Sequence, residues 1–396
     1  MAIRKINSRS IGDTGVATAD IADGSISTAK LADSAVTYAK WGGTNLGRRN
    51  LVINGAMQVA QRGTSFSSLV SANYSLDRWK TLHSASVSGD IDYSQSTDAP
   101  EGFTYSLKLD VNTATASLGT SNYYIFQYGG FEQQDIDHFN WGTSNAKEVT
   151  LSFWVKSNKT GTLAAEFQYT ATESSGASVE LAQLYTIDSA NTWEYKTLTF
   201  PASTAFTSNV TTGSNGGLTL YMWLAAGSVY TSGSIATDWG VNTNRVTGQS
   251  NYLDSTSNEI YFTGFQLEVG DTATPFEHRS YGEELALCQR YFEIIGNASE
   301  KTYIGGGLWY ANNLAYAGVK FKTTKRATPS CSATTDRYNW YVAGAANTST
   351  QLNFGRITPY SARINNAGTL NANGVANNAT WLELDPNNFI SVDAEL

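Results

Sequence analysis

Two cysteines among 396 residues are too few to staple a fold. Cys288 and Cys331 match no metal-ligand spacing, and nothing in the sequence brings the two thiols together, so both are read as reduced core residues. Histidine is almost as scarce. His83, His138 and His278 stand far apart and outside any HExxH, HxH or GxSxG context, which predicts neither a metal site nor a catalytic triad. Basic runs are missing as well: 26 Lys and Arg are scattered through a chain of net charge −8 and pI near 5.0, so a phosphate-tracking surface and a nucleic-acid partner are not expected. No apolar run reaches the roughly 18 residues of a membrane span, and the first 20 residues hold no signal-like apolar core. Neither membrane insertion nor export by the usual signal is expected.

Hydrophobic residues make up 41% of the chain, enough for sizeable cores and, at this length, for two or more domains. Only 15% of residues are charged, while there are 35 Gly, 10 Trp and 22 Tyr, a balance closer to extracellular β-sandwiches than to cytosolic α/β enzymes. The N-terminal part carries a repeat: Ile11, Val16, Ile21, Ile26, Leu31 and Val36 recur at every fifth position, with Asp13, Asp23 and Asp33 in step. A five-residue step turns about 500° around a helix and alternates faces on a strand, so no single helix stripe or sheet face gathers these side chains. Burial by neighbouring copies of the chain, or a linker of accidental regularity, remains.

Gly42, Gly43 and Gly47 mark a junction, and the pattern then changes. From there to about residue 270, short β-rich segments such as "YSLKLDV", "EVTLSFWVKS", "LTLYMWLAA" and "EIYFTGFQLEVG" alternate with Gly, Asn, Ser and Asp clusters. That is the pattern of an antiparallel β-sandwich or jelly roll. In "EVTLSFWVKS", Val149, Leu151, Phe153 and Val155 share the core face and leave Trp154 on the other. In "SYGEELALCQRYFEII", Ser280 and Glu283 form a capping box, and Leu285, Cys288, Phe292 and Ile295 follow at helical spacing, which predicts a helix over 280–296. The β pattern resumes beyond it. The expected fold is therefore mainly β, divided into a stem (1–44), a sandwich (45–279), a linking helix (280–296) and a small β domain (297–396).

Several segments resemble bacteriophage tail fibre proteins: "TAKLADSAVTYAK", "RRNLVINGAMQVAQRGTSF", "YSLDRWK", "GFQLEVGDTATPFEHRSYGEELALCQRYFE", "KRATPS" and "FISVDAEL". The resemblance implies a homotrimeric fibre in the virion, made in the host cytoplasm. Its N-terminal part would attach to other tail or baseplate proteins, and its distal domains, a jelly roll like those of carbohydrate-binding modules and a β tip, would meet a host cell-surface glycan. A depolymerase and a structural fibre without receptor contact are the alternatives.

Catalysis would need two carboxylates facing each other across a sugar. Asp90 with Asp92, and Glu283 with Glu284, are sequence neighbours better explained as a solvated edge and a helix cap, so no enzyme activity is expected. Asp77 and Arg78 in "SLDRWK" suggest a salt bridge supporting Trp79. No metal and no cofactor is expected. Sugars offer apolar C–H faces to aromatic rings and hydroxyls to polar neighbours. That mixture occurs in "TTDRYNWYVAG" and "GGGLWYANN". The glycan-binding candidates are Trp309, Tyr310, Arg337, Tyr338, Asn339, Trp340 and Tyr341, with Asn312 and Asn313 nearby and Trp154 on the sandwich. For each ring the alternative is a place in the core or at a trimer interface. Trp79 and Trp223 have apolar neighbours typical of core.

Overall fold

The computed structural model describes residues 48–396 apart from 171–177, 205–215, 243, 312, 343, 368–369, 371–375 and 396. The five-residue repeat, the expected stem over 1–44, and Asn312 lie outside the described residues. The described protein is mainly β. Twelve strands form its first part: β1 (Ser65–Phe66), β2 (Trp79–His83), β3 (Asp90–Ser96), β4 (Ser106–Thr113), β5 (Tyr123–Tyr128), β6 (Phe131–Glu132), β7 (Val149–Ser157), β8 (Gly161–Thr170), β9 (Ser178–Ile187), β10 (Glu194–Phe200), β11 (Gly216–Ala226) and β12 (Glu259–Val269). They pair antiparallel into one sheet ordered β1-β3-β4-β12-β7-β10 and another ordered β2-β5-β11-β8-β9, with β6 added on β11.

Period-two alternation explains the packing. On β7, Val149, Leu151, Phe153 and Val155 are fully buried, and they meet Phe167, Leu220 and Met222 of the second sheet in one large core. Trp79 joins that core, stacked on Phe126 at 4.7 Å. The expected Asp77–Arg78 bridge does not form. Asp77 instead accepts from the Gln61 backbone at 2.7 Å, and the fully buried Arg78 pairs with Glu395 at the far end of the chain. The two residues lie in the turn before β2, closed by Trp79 N–H donating to Leu76 O at 2.9 Å, where Arg78 takes a positive φ of 70° that parts its side chain from Asp77.

Ser280 caps the helix Tyr281–Gln289, its Oγ accepting from the Glu283 N–H at 3.3 Å. The helix is shorter than its apolar spacing suggested. Phe292 and Ile295 belong to a strand, because 292–295 pairs with the last strand of the chain and so satisfies its backbone on a sheet edge. The hinge before the helix is held by Glu277, whose Oε2 accepts from the Asn50 N–H at 2.8 Å, and by Arg279, which donates to Val52 O at 3.3 Å. His278 packs between Phe103 and Phe276.

Ten strands follow: β13 (Phe292–Ile295), β14 (Thr302–Ala311), β15 (Leu314–Lys320), β16 (Ser330–Ala333), β17 (Tyr338–Val342), β18 (Ala345–Ser349), β19 (Gln351–Gly355), β20 (Ser361–Ala367), β21 (Ala379–Leu384) and β22 (Ile390–Asp393). They form a three-stranded sheet, β13-β22-β16, and a seven-stranded sheet, β18-β17-β21-β14-β15-β20-β19, around a core of their own. Buried charges tie this part to the first: Arg290 donates to both Glu132 oxygens at 2.7 Å, and Tyr291 Oη donates to Glu132 at 2.7 Å. Both cysteines are free, Cys288 buried and Cys331 half-buried.

Candidate functional site

The residues proposed from the sequence as glycan contacts divide between the two faces of the seven-stranded sheet. Trp309, Tyr338 and Trp340 are fully buried and cannot present a ring to a sugar. They are core because Tyr338 and Trp340 pair with Leu384 and Leu382 on the inner face, where Tyr338 Oη donates to Thr334 O and Trp340 Nε1 donates to Ser349 Oγ at 3.1 Å. Asn339 is also buried, its amide donating to Asp385 at 2.9 Å. Tyr310, Arg337 and Tyr341 face outward, with Tyr341 stacked on Trp381 at 5.2 Å and Arg337 beside Asp385. Asn313 gives its carbonyl to Asn366. Trp154 is half-buried on the first sandwich sheet, 5.3 Å from Tyr195 and remote in the fold's connectivity from the other candidates.

A better-formed site lies on the second sandwich sheet, on the face turned away from the main core. There β5 and β11 run side by side with Ile125 opposite Trp223, and β8 flanks them with Glu166 opposite Tyr221. Segment 227–250 folds back over this face: Val246 is fully buried against it, and its N–H donates to Tyr230 O at 2.9 Å. What stays open is a groove of about 240 Å³ lined by Tyr123, Tyr221, Trp223, Tyr230, Gln168 and Arg245, with Leu82 and Ile125 beside them.

Three rings make one wall. Tyr230 lies 5.3 Å from Trp223 and 5.9 Å from Tyr123, edge-on to the latter at 89°. Polar groups are fixed beneath: Tyr221 Oη donates to Gln168 Oε1 at 2.8 Å, and Trp223 Nε1 donates to Glu166 Oε2 at 3.0 Å. Arg245 is held from three sides, by Glu166 at 3.3 Å, Glu180 at 3.0 Å and the Asn242 carbonyl at 3.2 Å. Burial pushes the Glu166 carboxyl up to about 8, with Arg245 opposing and Glu180 adding to the rise. Burial also raises Glu180 and the Tyr221 phenol. Both carboxylates are pushed toward the protonated form by burial and share the single Arg245, so the groove presents aromatic faces and hydrogen-bond groups that are already fixed.

The groove was not foreseen in the sequence, where Trp223 was placed with core. Trp223 is indeed 1% exposed, but its burial comes from the returning segment rather than the sandwich interior. Tyr169 of β8 points into the main core at Gln133 rather than into this groove. A larger hollow of about 480 Å³ near Gln58, Gln61, Gln95 and Tyr281 is less suited to a ligand. Two of its amides are already used, Gln61 by Asp77 and Phe292 O, Gln95 by Met57 O.

The fold places the chain among antiparallel β-sandwich proteins. No protein-family model and no curated protein matches it. Solved structures similar to it include the enzymatically active domain of tailspike protein 4 of bacteriophage CBA120, at 14% identity and TM-score 0.28, covering 56% of this chain and 21% of that one. A putative sugar binding protein from Bacteroides thetaiotaomicron matches at 8% identity and TM-score 0.33, covering 56% of this chain and all of its own. The CBM22-2 xylan-binding domain from Paenibacillus barcinonensis Xyn10C matches at 11% identity and TM-score 0.28, covering 52% and 99%. Likenesses this distant carry no argument about a ligand.

Proposed function

We propose that this protein binds a glycan, without cleaving it, in the groove of the second sandwich sheet. The carrying observation is the convergence of Tyr123, Trp223 and Tyr230 with Gln168, Tyr221 and Arg245 in one cleft on a rigid sheet. Sugar C–H faces pack on such rings, and their hydroxyls match fixed amide, phenol and guanidinium groups. Binding without chemistry follows from the carboxylates. Glu166 and Glu180 are both committed to Arg245 from beneath, rather than standing across an open space where a glycosidic bond would lie.

The segments resembling phage tail fibres support placing this binding in a virion, on a homotrimer whose N-terminal part attaches to the tail and whose described part meets a host surface polysaccharide. Three linked copies raise a weak single-site affinity through effective concentration. The test is titration of purified protein with host surface polysaccharide, following heat and newly released reducing ends together, with mass from light scattering. The expected result is a trimer that binds without release, with affinity weakened about tenfold by Tyr230→Ala through loss of one stacking ring. Release of oligosaccharide replaces this reading with a depolymerase, and absence of binding leaves a structural fibre.

A further inference from the structure

Charge is distributed unevenly along this acidic chain. Between Thr302 and Leu382 there are seven Lys and Arg against one acid, Asp336, although the whole chain carries −8. Two of the seven are used internally, Lys325 in a fully buried pair with Glu293 and Arg326 on the carbonyls of Ala394 and Glu395. Arg363 and Lys320 make no ion pair among the described residues. Arg363 rests on the Tyr316 ring at 4.5 Å, and its buried Nε has no hydrogen-bond partner among the described residues.

These cations sit on the outer face of the seven-stranded sheet, in register with the Tyr341–Trp381 stack. Reading across the strands, Tyr341 pairs with Trp381, Trp381 with Gly306, Gly318 with Arg363 and Arg363 with Gly355. Directly paired residues share a face. Trp381 therefore has one ring face covered by Tyr341, and on its other side two strands that present hydrogen instead of a side chain. A Cβ built on Gly306 would come no closer than 3.9 Å to any atom, and one on Gly318 would meet nothing within 4 Å. The result is an open lane with an aromatic wall at Trp381 and, across it, Tyr316 with the Arg363 guanidinium against its ring; that guanidinium leans over β19, its Nη2 3.2 Å from where a Cβ on Gly355 would stand, and swings toward the lane to meet a ligand. The flanking strands β21 and β20 are about 14 Å apart at ordinary strand spacing. Near the aromatic wall, Glu383 and Asp385 are balanced by two cations, Lys301 at 2.7 and 3.3 Å and Arg337 at 4.0 Å from Asp385, so the charge left over on this face, from Arg363 and Lys320, is positive.

We propose that this lane is a second binding site, for the acidic sugar of an anionic polysaccharide, whose ring packs on Trp381 and whose carboxylate is taken by Arg363. The charge selects an anion. The single ring-wide lane favours a hexuronate or sialate over a nucleic acid strand, which requires cations tracking successive phosphates. The site is separate from the groove. Ligands of the groove stay bound when the lane is blocked, so failure of one reading is distinguishable from failure of the other.

The test titrates the full chain with polygalacturonate, alginate and α2,8-polysialic acid, with carboxyl-reduced polygalacturonate and an oligothymidylate as comparisons. Gly318→Val fills the lane at a position with free space and keeps a strand-favouring residue, and an unchanged melting temperature checks its fold. At least one acidic polymer is expected to bind, with about tenfold loss on Gly318→Val and on Arg363→Gln, the effect of losing one charge-assisted contact, and no change on Tyr230→Ala. Four results overturn the proposal: no acidic polymer binds; binding survives both variants; the oligothymidylate binds as tightly; or Gly318→Val alters oligomeric state while glycan binding is unchanged, which assigns the face to contact between copies.

Discussion

Arg245 and Arg363 make an instructive pair. Both stand beside aromatic rings on the outer face of a sheet, yet Arg245 is enclosed by Glu166 and Glu180 while Arg363 makes no ion pair among the described residues. The difference follows from depth. A segment folds over the groove, and a cation held there needs carboxylates to replace lost water, whereas on an open sheet face solvent does this. The arginine under the returning segment is committed to the groove's own carboxylates, and Arg363 has none among the described residues.

The largest expected effect separates the two regions by removing the support of one. Trp340 is fully buried beneath the seven-stranded sheet, and Trp340→Ala leaves a large cavity with an expected loss of about 3–5 kcal/mol, measured by denaturant unfolding. Groove ligands should still bind to the fraction that remains folded. Loss of groove binding in that fraction would show that the two regions are not independent.

The comparison sharpens at the arginines themselves. Arg245→Met strands Glu166 and Glu180, both nearly or fully buried, and is expected to destabilise by about 3 kcal/mol. Arg363→Met breaks no ion pair among the described residues and gives up its packing on the Tyr316 ring, so it should change stability by less than about 1 kcal/mol. Equal effects in thermal melts would undo the distinction drawn between them.

The smallest effect is a pH slope. Glu166 ionises near 4.5 in the unfolded chain and near 8 in the folded one, so the folded state holds its proton longer. Its contribution to stability is fully present below about 4.5 and is lost as pH rises toward about 8. Glu166→Gln keeps an acceptor for Trp223 Nε1 but cannot ionise. Melting temperature followed across this window should fall less steeply in the variant, and parallel curves would mean that Glu166 is ionised throughout.

Alternation in β7 and the Ser280 cap were legible in the sequence because both rest on contacts between near neighbours in the chain. The candidate sites were only partly so. In "YNWYV" the two faces could be separated by inspection, but not which of them is wet, and the large rings of Tyr338 and Trp340 proved to be the covered ones. Tyr341 was identified without its partner, since Trp381 lies forty residues away. Trp223 sits among apolar neighbours whichever side of its sheet is outside, so its sequence context could not indicate a groove.

The sequence by itself determined the β class, the strand-forming segments, the helix start and the acidic balance of the whole chain, because propensity, period and capping act over a few residues. Tertiary structure alone decided where the helix gives way to β13, which rings are core, and which arginine is neutralised. Those outcomes depend on strands and loops from distant parts of the chain, and burial and pairing exist only once they are brought together.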